Sequence, residues 1–364
     1  MPSKPKTFEL RFPSMGVVRR YSHERSYSAQ DYPCPWSINA RLEDSLTNRL
    51  RGGSFTAQVA GTKSSPVYRD RAITFSGAII TASRQGDSTD TDVSADLSDT
   101  ARPTKFPLSL AGETGANVVA VVPHKDAHLL CFTANETWVC SGDPVTGARR
   151  RISDKIGIIG ASAWCVNHDT IYFLSSHGLY SVGADGSGLT ALSEDRIPEH
   201  LTGVSDAACV LDYYHPDRGV YIHLTTGPSW FYDTAREQFW PFDLTSTDSH
   251  LLVGPIRLGA PNQFGLIQTI HGIMASGGDD VAWRIVPGTS AEEACANGKL
   301  AITASLAGND YDQYISSSGV WSAGRSSTGW PRARSMWCCI WLESAGDWAY
   351  EEIILEVMYF GRWR

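Results

Sequence analysis

The chain has 364 residues, 42% of them hydrophobic and 19% charged, enough apolar material for a sizeable core and unlike a compositionally disordered protein. Twelve Trp and fourteen Tyr beside 33 Gly and 18 Pro favour strands joined by tight turns over helices. The net charge of −8 is uneven: residues 1–70 carry 11 Lys and Arg against 6 Asp and Glu, and the remainder carries 20 against 33, so a basic head precedes an acidic body that repels nucleic acid.

The opening stretch MPSKPKTFELRFPSMG lacks the apolar core of a secretory signal. No apolar run reaches the roughly 18–20 residues that span a bilayer. The expectation is a chain with no membrane segment and no classical export. Residues 27–55, YSAQDYPCPWSINARLEDSLTNRLRGGSF, hold Pro33 and Pro35 and end in a basic RLRGGS. They read as an extended arm or a strand lying on the body. Residues 1–65 are therefore taken as a docking arm and residues 66–364 as the body.

Within the body a hairpin form recurs: an apolar run, a short polar break and a second apolar run. It is found in RAITFSGAIITASRQGD (71–87), HLLCFTANETWVCSGD (128–143), TIYFLSSHGLYSVGADG (170–186) and GVYIHLTTGPSWFYDTAREQFWPF (219–242). It fits more loosely in residues 269–286 and 337–357. Units of about 40–50 residues, each a small antiparallel meander, are the signature of a β-propeller, because one meander cannot bury both of its faces and must stack on neighbours. The expected fold is all-β: a propeller-like body of about five to seven blades with an extended N-terminal arm. An irregular β-sandwich is the competing architecture. Helix is expected only as a short piece within SEDRIPEHLTGV (193–204), capped by Ser193.

Sites for chemistry are few. SGDPVTGARR places Ala148 and Arg149 where a phosphate-binding loop needs Lys and Ser or Thr. GADGSG (183–188) is a turn that opens no helix. His124 and His128 lie four apart, but in a turn running into a strand. Asp87, Asp90, Asp92, Asp96 and Asp99 crowd the long loop 85–107, without the central Gly and terminal Glu of a calcium loop. Asp279/Asp280 and Asp233/Glu237 are carboxylate pairs in turn-like segments. The eight Cys (34, 131, 140, 165, 209, 295, 338 and 339) include no CxxC; Cys131 and Cys140 flank one hairpin break and are candidates for a bridge across it. No catalytic residue, cofactor or metal site is assigned.

Three stretches, QDYPCPWSINARLEDSLTNRLRGGS, YRDRAITFSGAIITASRQGDSTD and GDPVTGARRRISDKIGIIGASAWC with the following TIYFLSSHGLYSV, resemble phage tail proteins of the nozzle, or tail tubular protein B, type from short-tailed bacteriophages and their packaged-DNA-stabilising counterparts. The resemblance covers roughly residues 10–242, and the chain is much shorter than the large nozzles. It implies a non-enzymatic virion component of the tail, made in the host cytoplasm. It also implies a ring of typically six copies that contacts adaptor or portal proteins and fibres and lets DNA pass through a lumen without sequence-specific binding. The arm and the Asp-rich loop are then the expected assembly contacts, with Tyr32, Trp36, Arg49, Arg51, Asp87, Asp90 and Asp92 as candidate residues. The alternative is a receptor- or glycan-binding propeller at the tail tip, with Trp230, Trp240, Trp321, Trp330 and Trp348 available to stack sugars. A propeller glycoside hydrolase is a third reading.

Overall fold

A computed structural model describes residues 6–10, 36–38, 40–42, 50–52, 63, 66–93, 96–194, 196–242, 248–259, 263–329 and 331–362. The chain is almost entirely antiparallel β. It divides into two compact units: one of residues 58–227 with 232–237, the other of residues 1–57, 228–231 and 238–364. Both differ in extent from the division at residue 65 expected from sequence.

In chain order the N-terminal strands come first: β1 (Lys6–Leu10), β2 (Trp36–Ile38), β3 (Ala40–Leu42) and β4 (Leu50–Gly52). Four small sheets follow. The first is β5 (Val67–Tyr68), β6 (Arg71–Ser76), β7 (Ile79–Ala82) and β8 (Thr104–Pro107). The second is β9 (Val118–His124), β10 (His128–Thr133), β11 (Thr137–Ser141) and β12 (Ala148–Ser153). The third is β13 (Trp164–Asn167), β14 (Thr170–Ser175), β15 (Gly178–Gly183) and β16 (Thr190–Ala191), followed by helix α1 (Pro198–Leu201). The fourth is β17 (Val210–Tyr214), β18 (Gly219–His223), β19 (Ser229–Asp233) and β20 (Gln238–Phe242). In each, spatial order equals sequence order, which is the up-and-down meander of a propeller blade.

The burial pattern explains why these sheets stack. β10 and β14 are buried along nearly their whole length, on both faces, whereas β6 and β7 of the first sheet retain exposed positions. A strand covered on both faces is apolar continuously rather than alternately, and LLCF and YFL in the sequence have that character. Phe132 of the second sheet meets Phe173 of the third with ring centres 4.8 Å apart, while Tyr172 of the third stacks on Tyr213 of the fourth at 6.4 Å.

Each blade is tied by the same backbone bond. An amide just past the third strand donates to a carbonyl in the turn between the first two: Gly86 to Asp70 (2.9 Å), Gly142 to Ala127 (3.1 Å), Ala184 to Asp169 (2.8 Å) and Thr234 to Arg218 (3.1 Å). The first and second sheets are further joined by Arg71, a fully buried arginine. Its guanidinium donates to the carbonyls of Ser83, Thr100, Ala101 and Arg102 at 2.8–3.1 Å. Its Nε faces the Asp143 carboxylate at 3.4 Å, an ion pair too poorly aligned to count as a hydrogen bond.

The second unit is built differently. β21 (Ser249–Arg257), β22 (Gln263–Met274), β23 (Val281–Gly288), helix α2 (Ala291–Leu306), β24 (Ser317–Trp321), β25 (Gly324–Gly329), β26 (Arg334–Ser335), β27 (Trp337–Ser344) and β28 (Trp348–Arg362) complete the chain. One sheet runs β2-β21-β27-β23-β24. The other runs β25-β22-β28-β4-β3, with β1 also on β28 and β26 on β22. The two looser repeats expected from sequence are thereby corrected: β22 and β23 do not pair with each other, nor do β27 and β28, and each pair is divided between the two sheets. The sheets approach closely where Gly272 lies under Trp321; a Cβ there would come within 2.5 Å of the indole.

Helix α2 covers the opposite face of the five-stranded sheet, its Ala294, Cys295, Ala301 and Ile302 against Leu252, Val286, Cys339 and Trp341. The sequence reading had no helix here. Its start is nonetheless coded: the Ser290 hydroxyl accepts from the Glu293 amide at 3.1 Å, and the Glu293 carboxylate accepts from the Thr289 amide at 2.7 Å, close to a capping box. The short helix expected within 193–204 is present as α1, but Ser193 is not its side-chain cap. The Ser193 hydroxyl accepts from the Leu179 amide at 2.9 Å, and its carbonyl takes the Ile197 amide at 3.0 Å.

Arg71→Met removes the clamp while keeping an apolar stem. It leaves four carbonyls without their donor and Asp143 without its cation, a loss of about 3–5 kcal/mol by analogy with broken buried ion pairs. Thermal unfolding is expected several degrees lower, with faster proteolytic cleavage within 85–102. Arg71→Lys is expected to recover only part, because an ammonium lacks the planar fork.

Candidate functional site

The turns between the first and second strands of the blades carry a row of alternating charge. The residues are Arg69-Asp70, Lys125-Asp126, His168-Asp169 and Asp217-Arg218. Left-handed backbone at Arg69, Asp70, Lys125, Asp126, His168 and Arg218, with φ between 46° and 55°, marks tight hairpin turns. Each of the first two turns grips the next. The Arg69 amide donates to the Asp126 carboxylate at 2.7 Å and the Arg69 Nε to the Asp126 carbonyl at 2.6 Å. The Lys125 ammonium pairs with Asp169 at 2.5 Å. The His124 ring Nε2 lies 2.7 Å from the His168 carbonyl. The strings YRDR, HKDA, NHDT and HPDR carry this row in sequence, and hydropathy reasoning passed over it.

The candidate residues of the acidic loop belong to a second repeated device. Asp87, in the long connection after the first blade's third strand, accepts through Oδ1 from the Thr89 amide (2.9 Å) and hydroxyl (2.7 Å). Asp143, Asp185 and Asp233 make the same kind of turn between the third and fourth strands of the next three blades and accept from the amides of Val145, Ser187 and Ala235 at 2.8–2.9 Å. Asp87 is thus the first of four such turn residues. Asp90 accepts from the Asp92 amide at 3.1 Å and faces Arg84 at 3.8 Å, and Arg84 also pairs with Asp99. These carboxylates hold the loop together. Among the described residues no three His, Cys, Asp or Glu side chains converge as a metal site.

The remaining candidates lie apart. Trp36 is on β2, opposite Leu252 of β21. Arg51 is on β4, between Arg41 of β3 and Ala349 of β28. Tyr32 and Arg49 fall outside the described residues. Of the tryptophans considered for sugar stacking, Trp230, Trp240, Trp321 and Trp348 are buried, which removes them from that role, and Trp330 falls outside the described residues. His124 and His128 face each other across the second blade's first hairpin, but His128 turns to the Ser141 hydroxyl at 3.2 Å. Asp233 pairs with Arg236 at 2.8 Å and Glu237 with Arg196 at 3.5 Å, so that carboxylate pair is divided between two cations. Cys131 and Cys140 are free and buried; they stand diagonally in the ladder, opposite Trp138 and Leu129. The Cys131 thiol donates to Cys140, which lowers the pKa of Cys140, while burial pushes that of Cys131 well up.

The arginine run ARRR leads to three separate partners. Arg149 lies over Phe106 at 4.6 Å, Arg150 reaches the Gly186 carbonyl, and Arg151 pairs with Glu113 at 2.9 Å and Glu136 at 3.1 Å. These contacts link the second blade to the first and third.

A cavity of about 320 Å³ opens between the first three blades, lined by Pro66, Thr74, Phe75, Val121, Trp164 and Lys63 among others. Lys63 places its ammonium 4.4 Å from the centre of the Trp164 indole, and the indole N–H donates to the Ala161 carbonyl at 3.0 Å. Burial lowers the Lys63 pKa, against an upward pull from Cys165 and Asp212. Neither Lys63 nor Trp164 was singled out from the sequence. Lys63 sits in a polar stretch, and its neighbours in the cavity come from strands about ten to a hundred residues away.

No family model matches the chain, and no curated protein matches it. A solved structure, the AfRom2 CNH domain, is similar at a TM-score of 0.27 with 9% identity, over 62% of this chain and 79% of that one. A likeness that distant adds nothing to what the sheets themselves establish.

The turn carboxylates predict acid sensitivity. The Thr89 hydroxyl holds the Asp87 pKa below its ordinary value, the Ser187 hydroxyl does the same for Asp185, and the Lys125 ammonium for Asp169. A folded value below the unfolded one, about 3.9, favours the native state while the group is ionised. That contribution is lost as pH falls through the folded value. Melting temperature is therefore expected to drop between about pH 4 and pH 2. Asp185→Ser, which keeps an acceptor but not a titrating group, is expected to flatten that drop; an unchanged slope would show that the turn carboxylates do not set it.

Proposed function

We propose that this chain is a structural, non-enzymatic tail protein of the short-tailed-phage nozzle type, assembling as a ring of about six copies around a passage for DNA. The observation that supports it best is the placement of the arm. β1 lies on residues 353–357 of β28, β4 on residues 348–350 of the same strand, and β2 on β21. All three are strands of three to five residues added from a distant part of the sequence. Strand addition is a recurring way for one chain to lend a segment to another, and exchange of such an element between identical copies builds oligomers at little cost. In this reading the arm of one copy seats on the β28 edge of the next, with Trp36 and Arg51 carried on the exchanged strands.

Two further features fit. The blades are cross-tied at their turns, by Arg71 and by the arginines of β12, which suits a rigid conduit. The acidic excess of the body suits a wall past which DNA slides, because a basic wall binds phosphates and slows passage. Adaptor or portal proteins and fibres are then the neighbours, and the virion tail the location.

Native mass spectrometry of the purified chain tests this. A closed ring, with six copies as the expected number, supports the conduit. A strict monomer at every attainable concentration, with no change on adding a peptide of residues 1–57, overturns assembly by arm exchange.

A further inference from the structure

The turns account for the carboxylates and arginines of the blades, but not for Lys63. Its side chain is half-buried, its ammonium lies against the face of an indole, and it has no carboxylate within ion-pair distance among the described residues, Asp212 acting on it only from further away. An ammonium is strongly hydrated, so a partly desolvated one with no carboxylate in contact is an incomplete arrangement; the indole face supplies part of the missing interaction. The rest of the lining is suited to an apolar body: Pro66, Phe75 and Val121 with the Trp164 ring. Phe75 is an exposed aromatic, and Thr74 beside it adds a hydroxyl at the rim. The volume falls at the lower end of the range for small-molecule sites, about 300–1,000 Å³.

We propose that this cavity binds a small monoanionic carboxylate carried on a flat apolar body, with the carboxylate at the Lys63 ammonium and the body between Phe75, Val121 and Trp164. The charge follows from the donor set. One cation with one hydroxyl balances a monoanion, whereas a phosphate dianion calls for several donors or a helix N-terminus. The body follows from the walls, which offer area and ring faces rather than hydrogen-bond partners. This inference is independent of the ring, because the described lining of the cavity lies within residues 63–164 of one copy.

The probe is 2-naphthoate, with 2-naphthalenemethanol as its neutral counterpart, titrated calorimetrically into the full-length chain. The expected result is saturable binding at one site per chain. Lys63→Met is expected to weaken naphthoate by about 10–100-fold, the usual range for a lost charge-assisted hydrogen bond, while leaving the neutral probe unchanged. Lys63→Arg is expected to retain naphthoate binding. Thr74→Glu, an exposed substitution that adds a competing carboxylate at the rim, is expected to weaken naphthoate selectively and covers the case in which Lys63→Met disturbs the arm. Absence of saturable naphthoate binding overturns the proposal. So does equal binding by the wild type and Lys63→Met, or equal loss of both probes in Thr74→Glu.

Discussion

A four-stranded sheet has two faces and too few strands to bury either by itself. Everything distinctive in residues 66–237 follows from that constraint. The middle strands of the second and third sheets are apolar on both faces because a neighbouring sheet covers each of them. Once sheets are packed face to face, their ends bring turns together, and the polar groups of those turns must be satisfied. The bond from the end of the third strand to the first turn, present in all four blades, does this within each sheet. The Arg69–Asp126 and Lys125–Asp169 contacts do it between sheets. Arg71 is the extreme case: a buried guanidinium whose fork collects the carbonyls of a long loop that the sheet pattern leaves without ladder partners.

The acidic character of the body reads differently in this light. Asp87, Asp143, Asp185 and Asp233 repeat one device between the third and fourth strands of the four blades, where a short carboxylate accepts the amide two residues on. Part of the negative charge is therefore placed by turn chemistry, and at Asp87 and Asp185 the turn hydroxyls and amides favour the ionised carboxylate. The crowding of Asp in residues 85–107 that draws the eye in sequence is the first turn residue enlarged by an insertion, with Arg84 and Arg71 holding the insertion in place.

The first four blades were legible because their hairpins are local: a run, a break and a run that pair with each other. The same pattern misled at residues 269–286 and 337–357. There the apolar alternation is genuine and the strands form, but alternation fixes which face is buried, not which strand is the partner. Each strand finds its partner in a distant segment, and a local reading cannot name it. Helix α2 escaped because its buried side is made mostly of Ala, Cys and Gly, with Ile302 as its one large apolar residue. Small residues let the helix settle on the sheet, as at Gly298, where a Cβ would meet Leu252 at 2.6 Å, and they leave only a weak apolar stripe. The capping pattern at Thr289–Glu293 was the available signal. The cavity at Lys63 was illegible for another reason: its walls converge from three blades, and no spacing in the sequence records that.

The two units also differ in what the chain must contain before they can close. Each of the first three blades is complete within a local stretch, and such local pairing carries a small loop-closure cost. The seven-stranded sheet instead joins Lys6–Leu10 to Ile353–Val357, nearly the full length of the chain. Until β28 exists, β1 and β4 have no edge to occupy, while the blades between them can already stack. The arm thus pairs later than the blades, on a strand made after all of them. When many copies are present, the edge of β28 is offered to its own arm and to the arms of its neighbours on equal chemical terms, since the hydrogen bonds are the same. The choice between them is then governed by whether the chain between residues 10 and 36 can span the distance within one copy, and by the effective concentration that this span provides.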